Sequence, residues 1–232
     1  MSLPRSFTTV PPIPALRLGV LLLHQGSLTS TQLGTALTAQ RVSGRKLGDE
    51  LQLMGLADAE TVLRGLSAQA GVSYLTSVDP SCVKSAPGGL SSDEVRALGV
   101  VPIHVDSANR LLVVACQAPL PRAALNALRQ LTGWTPEPLL VTDANYHTLL
   151  KAYAAAAAGS PRHVAFARVR DVDDAAARIA AAAAVDRSVT MTEVHSAGAT
   201  WVRVEGAEFT NTLLVSDQHE EDETCRVATM SH

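Results

Sequence analysis

The chain has 232 residues, of which 47% are hydrophobic and 18% are charged, and its formal net charge is −3. This apolar content is enough for one large or two small folded domains, which excludes a chain that is disordered throughout. The slightly negative charge argues against a protein whose main partner is duplex nucleic acid.

The N-terminal region shows no targeting or membrane signal. Residues 1–14 are rich in proline and polar residues, and we expect a flexible N-terminus there. The first apolar run, Val20–Leu23, is shorter than the ~7–15 residues of a signal-peptide core or the ~20 residues of a membrane span. We therefore expect a cytoplasmic protein. The three cysteines, Cys82, Cys116 and Cys225, are too scattered for a disulfide framework or a zinc site, and we expect no metal.

Two copies of one pattern follow, in residues 17–40 and 46–69, at an offset of 29 positions. Each copy opens with a cation and Leu-Gly, has a second glycine nine positions after the cation, and closes with glutamine. Composition alone would not place so many matches in one register. The leucines are typical of a helical core face, whereas for the closing glutamines a ligand contact and a capping or surface pair remain open.

Each copy is predicted to form a helical hairpin. Gly26 and Gly55 are expected to stop the first helix of each copy, because a helix often ends on a residue with positive φ. Thr29, with Gln32 three residues later, forms a capping-box pattern, and Asp58 is the matching N-cap in the second copy. The sequence leaves open whether a local pseudo-twofold or a simple stack relates the two hairpins.

The tandem pattern R-L-G-x-x-L-x-x-x-G, followed by leucines and a closing Q, resembles the MshEN-type domain. This is the N-terminal domain of type II secretion and type IV pilus assembly ATPases, also described as GspE N-terminal-like. The resemblance continues through residues 71–79, 98–115 and 120–141 and covers roughly residues 15–153.

In that family the tandem motif binds the second messenger cyclic di-GMP, so the resemblance implies this ligand and no other cofactor. Cyclic di-GMP is itself twofold symmetric, and a tandem repeat can offer each half an equivalent set of groups. Guanidinium and amide groups suit guanine edges and phosphates, and leucines can cover the rings. The residues at matching positions are Arg17, Leu18, Gly19, Leu33, Leu37 and Gln40, and then Lys46, Leu47, Gly48, Asp49, Val62, Leu66 and Gln69.

Four positions bear on the expected ligand contacts, three in the tandem motif and one beyond it. Gly19 and Gly48 are expected to let the backbone approach the ligand. Lys46 stands where the family usually has arginine, which keeps the charge but loses the planar fork. Ala118, before Pro119, stands where the family usually has aspartate.

Catalytic motifs are missing from the sequence. A P-loop requires Gly-Lys followed by Ser or Thr, and none of the three lysines, Lys46, Lys84 and Lys151, has both neighbours. There is no G-x-S-x-G or H-E-x-x-H pattern, and the seven histidines have no ligand spacing. The resemblance therefore implies a non-enzymatic regulatory module that stands alone without the ATPase domain.

The predicted fold class is α+β. A helical tandem-hairpin subdomain over residues 15–70 is followed by an α/β subdomain over 71–158 that completes the MshEN-like domain. Residues 162–216 read as strand-helix-strand-strand-strand, a small α/β unit of unknown role, with Trp201 in the core of a half-buried strand. Residues 217–232 are expected to form a disordered acidic tail.

The leading functional hypothesis is a cyclic di-GMP receptor or adaptor that regulates a secretion, type IV pilus or motility system. Its partner would be a protein of such a machine, without duplex nucleic acid and without insertion into a membrane. The alternative is a ligand-free docking module of the same family whose nucleotide site has degenerated.

Overall fold

The computed structural model describes residues 16–84, 89–157, 163–186, 188–196 and 198–216. The predicted flexible N-terminus and acidic tail lie outside these ranges. The chain divides into two compact units on either side of the bond between Ser160 and Pro161. Helices and sheets occur in both units, which confirms the α+β class.

The first unit begins with four helices, α1 (Leu18–His24), α2 (Ser30–Ser43), α3 (Leu47–Leu53) and α4 (Ala59–Ala70). Helices α1 and α2 come from the first copy of the repeat, and α3 and α4 come from the second. The four predicted helices are thereby confirmed.

The N-caps of the two long helices lie where the sequence predicts them. In α2 the Thr29 hydroxyl accepts a hydrogen bond from Gln32 N at 3.3 Å, while Gln32 Oε1 accepts from Thr29 N at 2.9 Å. In α4 the Asp58 carboxylate accepts from Thr61 N at 2.7 Å. Each side chain satisfies a helix N–H group that has no partner within the helix, and this fixes where the helix starts.

The stops are also confirmed, with one difference in length. Gly26 and Gly55 have φ of 68° and 64° and follow the ends of α1 and α3. Helix α2 continues past Gln40 to Ser43 and ends at Gly44, whose φ is 72°. Three residues of the spacer between the copies, Arg41 to Ser43, are therefore helical, because no glycine or asparagine lies between Gln40 and Gly44.

The hairpins bury a shared apolar core that draws on all four helices. Partly buried leucines surround it, among them Leu47 and Leu66. Its buried members are Leu18, Leu22, Leu28, Ala36, Leu51 and Val62.

A four-stranded sheet and three helices complete the first unit. The strands are β1 (Ser73–Leu75), β2 (Val100–Asp106), β3 (Leu111–Cys116) and β4 (Thr135–Val141), and the helices are α5 (Ser92–Leu98), α6 (Arg122–Thr132) and α7 (Asp143–Ala157), with a 3-10 turn at Pro80–Cys82. The strand order in the sheet is β1-β4-β3-β2. Strands β2 and β3 form the predicted antiparallel hairpin, and α6 crosses over to β4, which lies parallel to β3.

The second unit has the predicted order of elements, strand-helix-strand-strand-strand. The elements are β5 (His163–Val169), α8 (Val172–Val185), β6 (Thr190–Ser196), β7 (Ala199–Glu205) and β8 (Phe209–Ser216). The strand order in its sheet is β5-β8-β7-β6, with β5 parallel to β8 and the other pairs antiparallel.

The prediction that β7 is a half-buried strand is wrong, although Trp201 does lie in the core. The run Trp201–Val204 is buried on both faces, and Arg203 is fully buried. The valines of this run pack in the core that α8 covers, whereas Trp201 lies against Phe166 on the other face. Arg203 Nε donates to Glu205 Oε1 at 3.0 Å. The alternating pattern predicted an exposed face because Arg203 is charged. The structure buries this cation next to the carboxylate of Glu205.

Within the described ranges, no helix combines the length and the apolar character needed to cross a membrane.

Candidate functional site

Helices α1 and α3 touch through two reciprocal contacts. A Cβ built on Gly19 would lie 3.2 Å from Leu47 Cδ2, and a Cβ built on Gly48 would lie 3.8 Å from Leu18 Cδ2. The repeat offset relates both the two glycines and the two leucines, so each copy sets its leucine against the glycine of the other. A simple stack would make such a contact in one direction only. The structure therefore favours the pseudo-twofold.

Each glycine also receives a side chain from the second helix of its own hairpin. The same Cβ positions would lie 2.7 Å from Leu33 Cδ1 at Gly19 and 2.9 Å from Val62 Cγ1 at Gly48. The space in the Cβ direction is thus filled by protein side chains. These glycines permit close helix packing, a role that the sequence analysis did not assign to them.

The two closing glutamines also make equivalent contacts between the two copies. Gln40 Nε2 donates to the carbonyl oxygen of Arg45 at 3.0 Å, and Gln69 Nε2 donates to that of Leu16 at 3.1 Å. Each acceptor comes one residue before the cation that opens the other copy. Each glutamine thus holds a backbone carbonyl at the start of the other copy, and a ligand contact stays a prediction. Among the described residues, neither amide oxygen accepts a hydrogen bond.

The two opening cations occupy equivalent backbone positions. Arg17 and Lys46 are the N-cap residues of α1 and α3, with φ and ψ of −71° and 148° for Arg17 and −68° and 147° for Lys46. Both side chains are exposed. In the part of the chain that the structure describes, neither forms an ion pair. The pseudo-twofold thus presents two positive charges that are open to an anionic ligand.

Burial divides the motif residues into two groups. The buried members build the scaffold, and the exposed or half-buried members can reach a ligand. The buried ones are Leu18, Gly19, Leu33, Gly48 and Val62; the half-buried ones are Gln40, Leu47 and Leu66; the exposed ones are Arg17, Leu37, Lys46, Asp49 and Gln69.

A polar network joins the spacer to the second copy, and the motif comparison missed it. Glu50 is 3% exposed, accepts a hydrogen bond from the Ser43 hydroxyl and pairs with Arg45, whose Nη1 lies 3.3 Å from Glu50 Oε1. The residue at the equivalent position of the first copy is Leu21, which is fully buried. A charged residue where the other copy has leucine was the available sequence signal.

The described cysteines are structural. Burial raises the pKa of Cys116 to about 12, and its Sγ lies 3.7 Å from the carbonyl oxygen of Leu139. Burial also raises the pKa of Cys82, with a further contribution from Asp79. Neither thiol is therefore an activated nucleophile at neutral pH.

One cavity lies outside the tandem motif, in the second unit. It holds about 430 Å³, lies between α8 and its sheet, and has a mainly apolar lining. Its charged lining residue, Arg178, is paired with Asp174 at 3.0 Å. Beside Arg178, the polar lining residues are Asn211 and Thr212, and we assign no ligand to this cavity.

Comparison with known proteins gives no matching family model. The chain is 27% identical over 138 residues to the type IV pilus assembly ATPase PilB of Thermus thermophilus. That match spans 59% of this chain but only 16% of the length of PilB.

Among solved structures, the chain is similar to MshE with cyclic di-GMP, at 28% identity and a TM-score of 0.49, covering 60% of this chain and 99% of that one. Two crystal forms of the XpsE N-terminal domain match at 20% and 21% identity, with TM-scores of 0.38 and 0.34, over 59% and 57% of this chain and 93% and 90% of theirs. The sequence match to PilB confirms the resemblance of the first unit to the MshEN-type, or GspE N-terminal-like, domain.

Proposed function

We propose that the tandem hairpins bind cyclic di-GMP and that the chain is a non-catalytic receptor or adaptor. The observation that carries the proposal is the reciprocal arrangement of the two copies, with one exposed cation in each. A pseudo-twofold pair of cations matches a ligand that has two phosphates and two guanines related by a twofold. The similarity to MshE, whose structure includes this ligand, supports the same choice.

The exposed and half-buried residues assign roles within this site. Arg17 can engage guanine or phosphate through its planar fork, whereas Lys46 offers a point charge. Leu37 is 37% exposed and can cover a purine face or a ribose. The amide oxygens of Gln40 and Gln69, which accept no hydrogen bond from the described residues, can accept hydrogen bonds from guanine while their nitrogens hold the backbone.

The output of the site follows from the kind of protein that the chain resembles. Since the relatives are pilus or secretion ATPases, we propose that the module regulates a secretion, type IV pilus or motility machine through a protein partner. Its ligand is an intracellular second messenger, which agrees with the cytoplasmic location expected from the sequence. These 232 residues contain no P-loop motif, which supports a non-catalytic role.

A second candidate function is docking without a nucleotide. Several large apolar side chains of the helical hairpins are exposed, among them Val20 at 45%, Leu53 at 68% and Val42 at 87%. Apolar surface on a folded domain can serve a protein interface. Lysine in place of arginine at Lys46 also favours a weakened nucleotide site.

Isothermal titration with cyclic di-GMP tests the proposal. We expect binding to the wild-type chain and a loss of tenfold or more in Arg17→Ala, because one charge-assisted contact set disappears. Lys46→Arg restores the fork in the second copy and is expected to raise the affinity. Cyclic di-AMP is the matched ligand control, since it has the same phosphates without guanine.

The two candidate functions predict different outcomes. No heat and no thermal shift at tens of micromolar cyclic di-GMP, in both the wild-type chain and Lys46→Arg, would refute the nucleotide site and favour docking. Equal affinity for both cyclic dinucleotides would refute guanine recognition and leave only phosphate binding.

A further inference from the structure

We propose that the network of Ser43, Arg45 and the buried Glu50 is a positioning device for Lys46, present in the second half of the site alone. The inference rests on the proposed function, since it concerns the cation of the nucleotide site. It assigns a role to three residues that lie outside the tandem motif.

Three contacts hold Arg45, the residue directly before Lys46. Arg45 N donates to Ser43 Oγ at 3.2 Å, the Arg45 carbonyl accepts from Gln40 Nε2 at 3.0 Å, and Arg45 Nη1 pairs with Glu50 Oε1 at 3.3 Å. The backbone of Arg45 is therefore held at both its polar groups and its side chain is held as well.

Lys46 itself is bound from the helix that follows it. Its carbonyl oxygen accepts from Asp49 N and Glu50 N, both at 3.1 Å. Glu50 therefore makes two contacts: its backbone N–H donates to Lys46, and its carboxylate pairs with the neighbouring Arg45. Because Glu50 is 3% exposed, the surrounding packing restricts its own movement.

The first copy offers an internal comparison. Arg45 corresponds to Leu16 and Glu50 corresponds to Leu21, so the first copy has two leucines where the second has an ion pair. In the first copy the carbonyl of Leu16 is held by Gln69 in the same way. The difference between the copies is thus the side-chain network, and it accompanies the difference between Arg17 and Lys46.

A physical reason connects these two differences. Arginine has a planar, preorganised fork that can hold a phosphate or a guanine edge through two hydrogen bonds, whereas lysine has a single charge on a flexible stem. A lysine therefore loses more conformational freedom when it engages a ligand. Fixing its backbone in advance lowers that cost, which is the general effect of preorganisation on affinity.

The test uses the double substitution Arg45→Leu/Glu50→Leu, which gives the second copy the residues of the first. The chain itself accepts this leucine pair at the equivalent positions, and removing both charges leaves no unpaired buried carboxylate. We expect the variant to fold, with about a tenfold weaker affinity for cyclic di-GMP. In a Lys46→Ala background the same double substitution is expected to change affinity less than twofold.

A readout without ligand separates this inference from the proposed function. The Asp49 amide donates to Lys46 O, so its hydrogen-exchange rate reports how firmly Lys46 is held. We expect exchange at Asp49 to accelerate in the double variant while amides within α4 stay unchanged. Faster exchange without cyclic di-GMP binding in the wild type would refute the nucleotide site and retain the positioning role.

Two outcomes would overturn the inference. One is an equal loss of affinity in the wild-type and Lys46→Ala backgrounds, which would show that the network acts on the fold and not through Lys46. The other is unchanged affinity together with unchanged Asp49 exchange. Should the double variant fail to fold, Glu50→Gln, which retains an acceptor for Ser43 but removes the charge, provides the same comparison.

Discussion

At the scale of single residues, the two motif glycines serve the packing of the helices. The sequence analysis predicted that Gly19 and Gly48 let the backbone approach a ligand. In the structure, Leu33 and Val62 occupy the space where a Cβ of Gly19 or Gly48 would lie. The small residues bring the helices close enough for the two cations to occupy equivalent places. Their contribution to a ligand site is therefore indirect.

Alanine substitutions at these two glycines are expected to differ. At Gly19 the new methyl meets the flexible end of Leu33, which can turn away. At Gly48 it meets Val62 Cγ1 at 2.9 Å, and a valine in a helix has one strongly preferred rotamer. We expect Gly48→Ala to lower the free energy of unfolding by about 1–2 kcal/mol more than Gly19→Ala, as measured by urea denaturation.

Gly34→Ala is the matched control for that comparison. Gly34 lies in α2, and a Cβ there meets nothing within 4 Å. Its substitution should therefore stabilise the chain by up to about 1 kcal/mol through helix propensity alone. Equal losses at Gly19 and Gly48 would contradict the packing argument.

At the scale of elements, capping residues decide where the helices of each hairpin begin. Asp58 is exposed, and hydrogen bonds from the side chain and then the backbone of Thr61 lower the pKa of its carboxyl group. A carboxyl group with a lowered pKa in the folded state stabilises the fold while it is ionised. This contribution is present above the unfolded pKa and is lost as pH falls through the lower folded value.

Asp58→Asn makes this pH dependence measurable. Asparagine is an equally good N-cap but does not titrate. We expect the difference in thermal midpoint between the wild-type chain and Asp58→Asn to stay constant above about pH 4. At lower pH, we expect the wild-type midpoint to decrease relative to that of Asp58→Asn. Other carboxyl groups titrate in both proteins and cancel in the difference. Parallel curves from about pH 2 to pH 7 would show that the Asp58 charge contributes nothing to the cap.

At the scale of the whole molecule, the chain has two compact units with separate sheets and separate cores. All the residues proposed for the nucleotide site lie in the first unit. A core and a sheet of its own are what a unit needs to fold alone.

A shortened chain tests whether the first unit is sufficient. We expect a chain that ends after Ser160 to fold cooperatively and to bind cyclic di-GMP within twofold of the full-length affinity. Calorimetry gives both the unfolding transition and the affinity. If the shortened chain folds but loses affinity, the second unit contributes to the site.

Local features of the sequence determined most of the elements. The 29-residue offset, the caps at Thr29 and Asp58 and the stops at Gly26 and Gly55 act over a few positions, so they can be read along the chain. The order of strands in the second unit followed from the same kind of signal. The burial of Arg203 did not, because it depends on what covers the second face of β7.

The sequence by itself determined that two equivalent helical hairpins carry two cations and two glutamines. Only the tertiary structure decided that a pseudo-twofold relates them and that Glu50 and Arg45 add a network to one half alone. The physical reason is distance along the chain. Caps and stops are contacts between near neighbours, whereas Gln69 reaches Leu16 across 53 positions, a contact that no local pattern encodes.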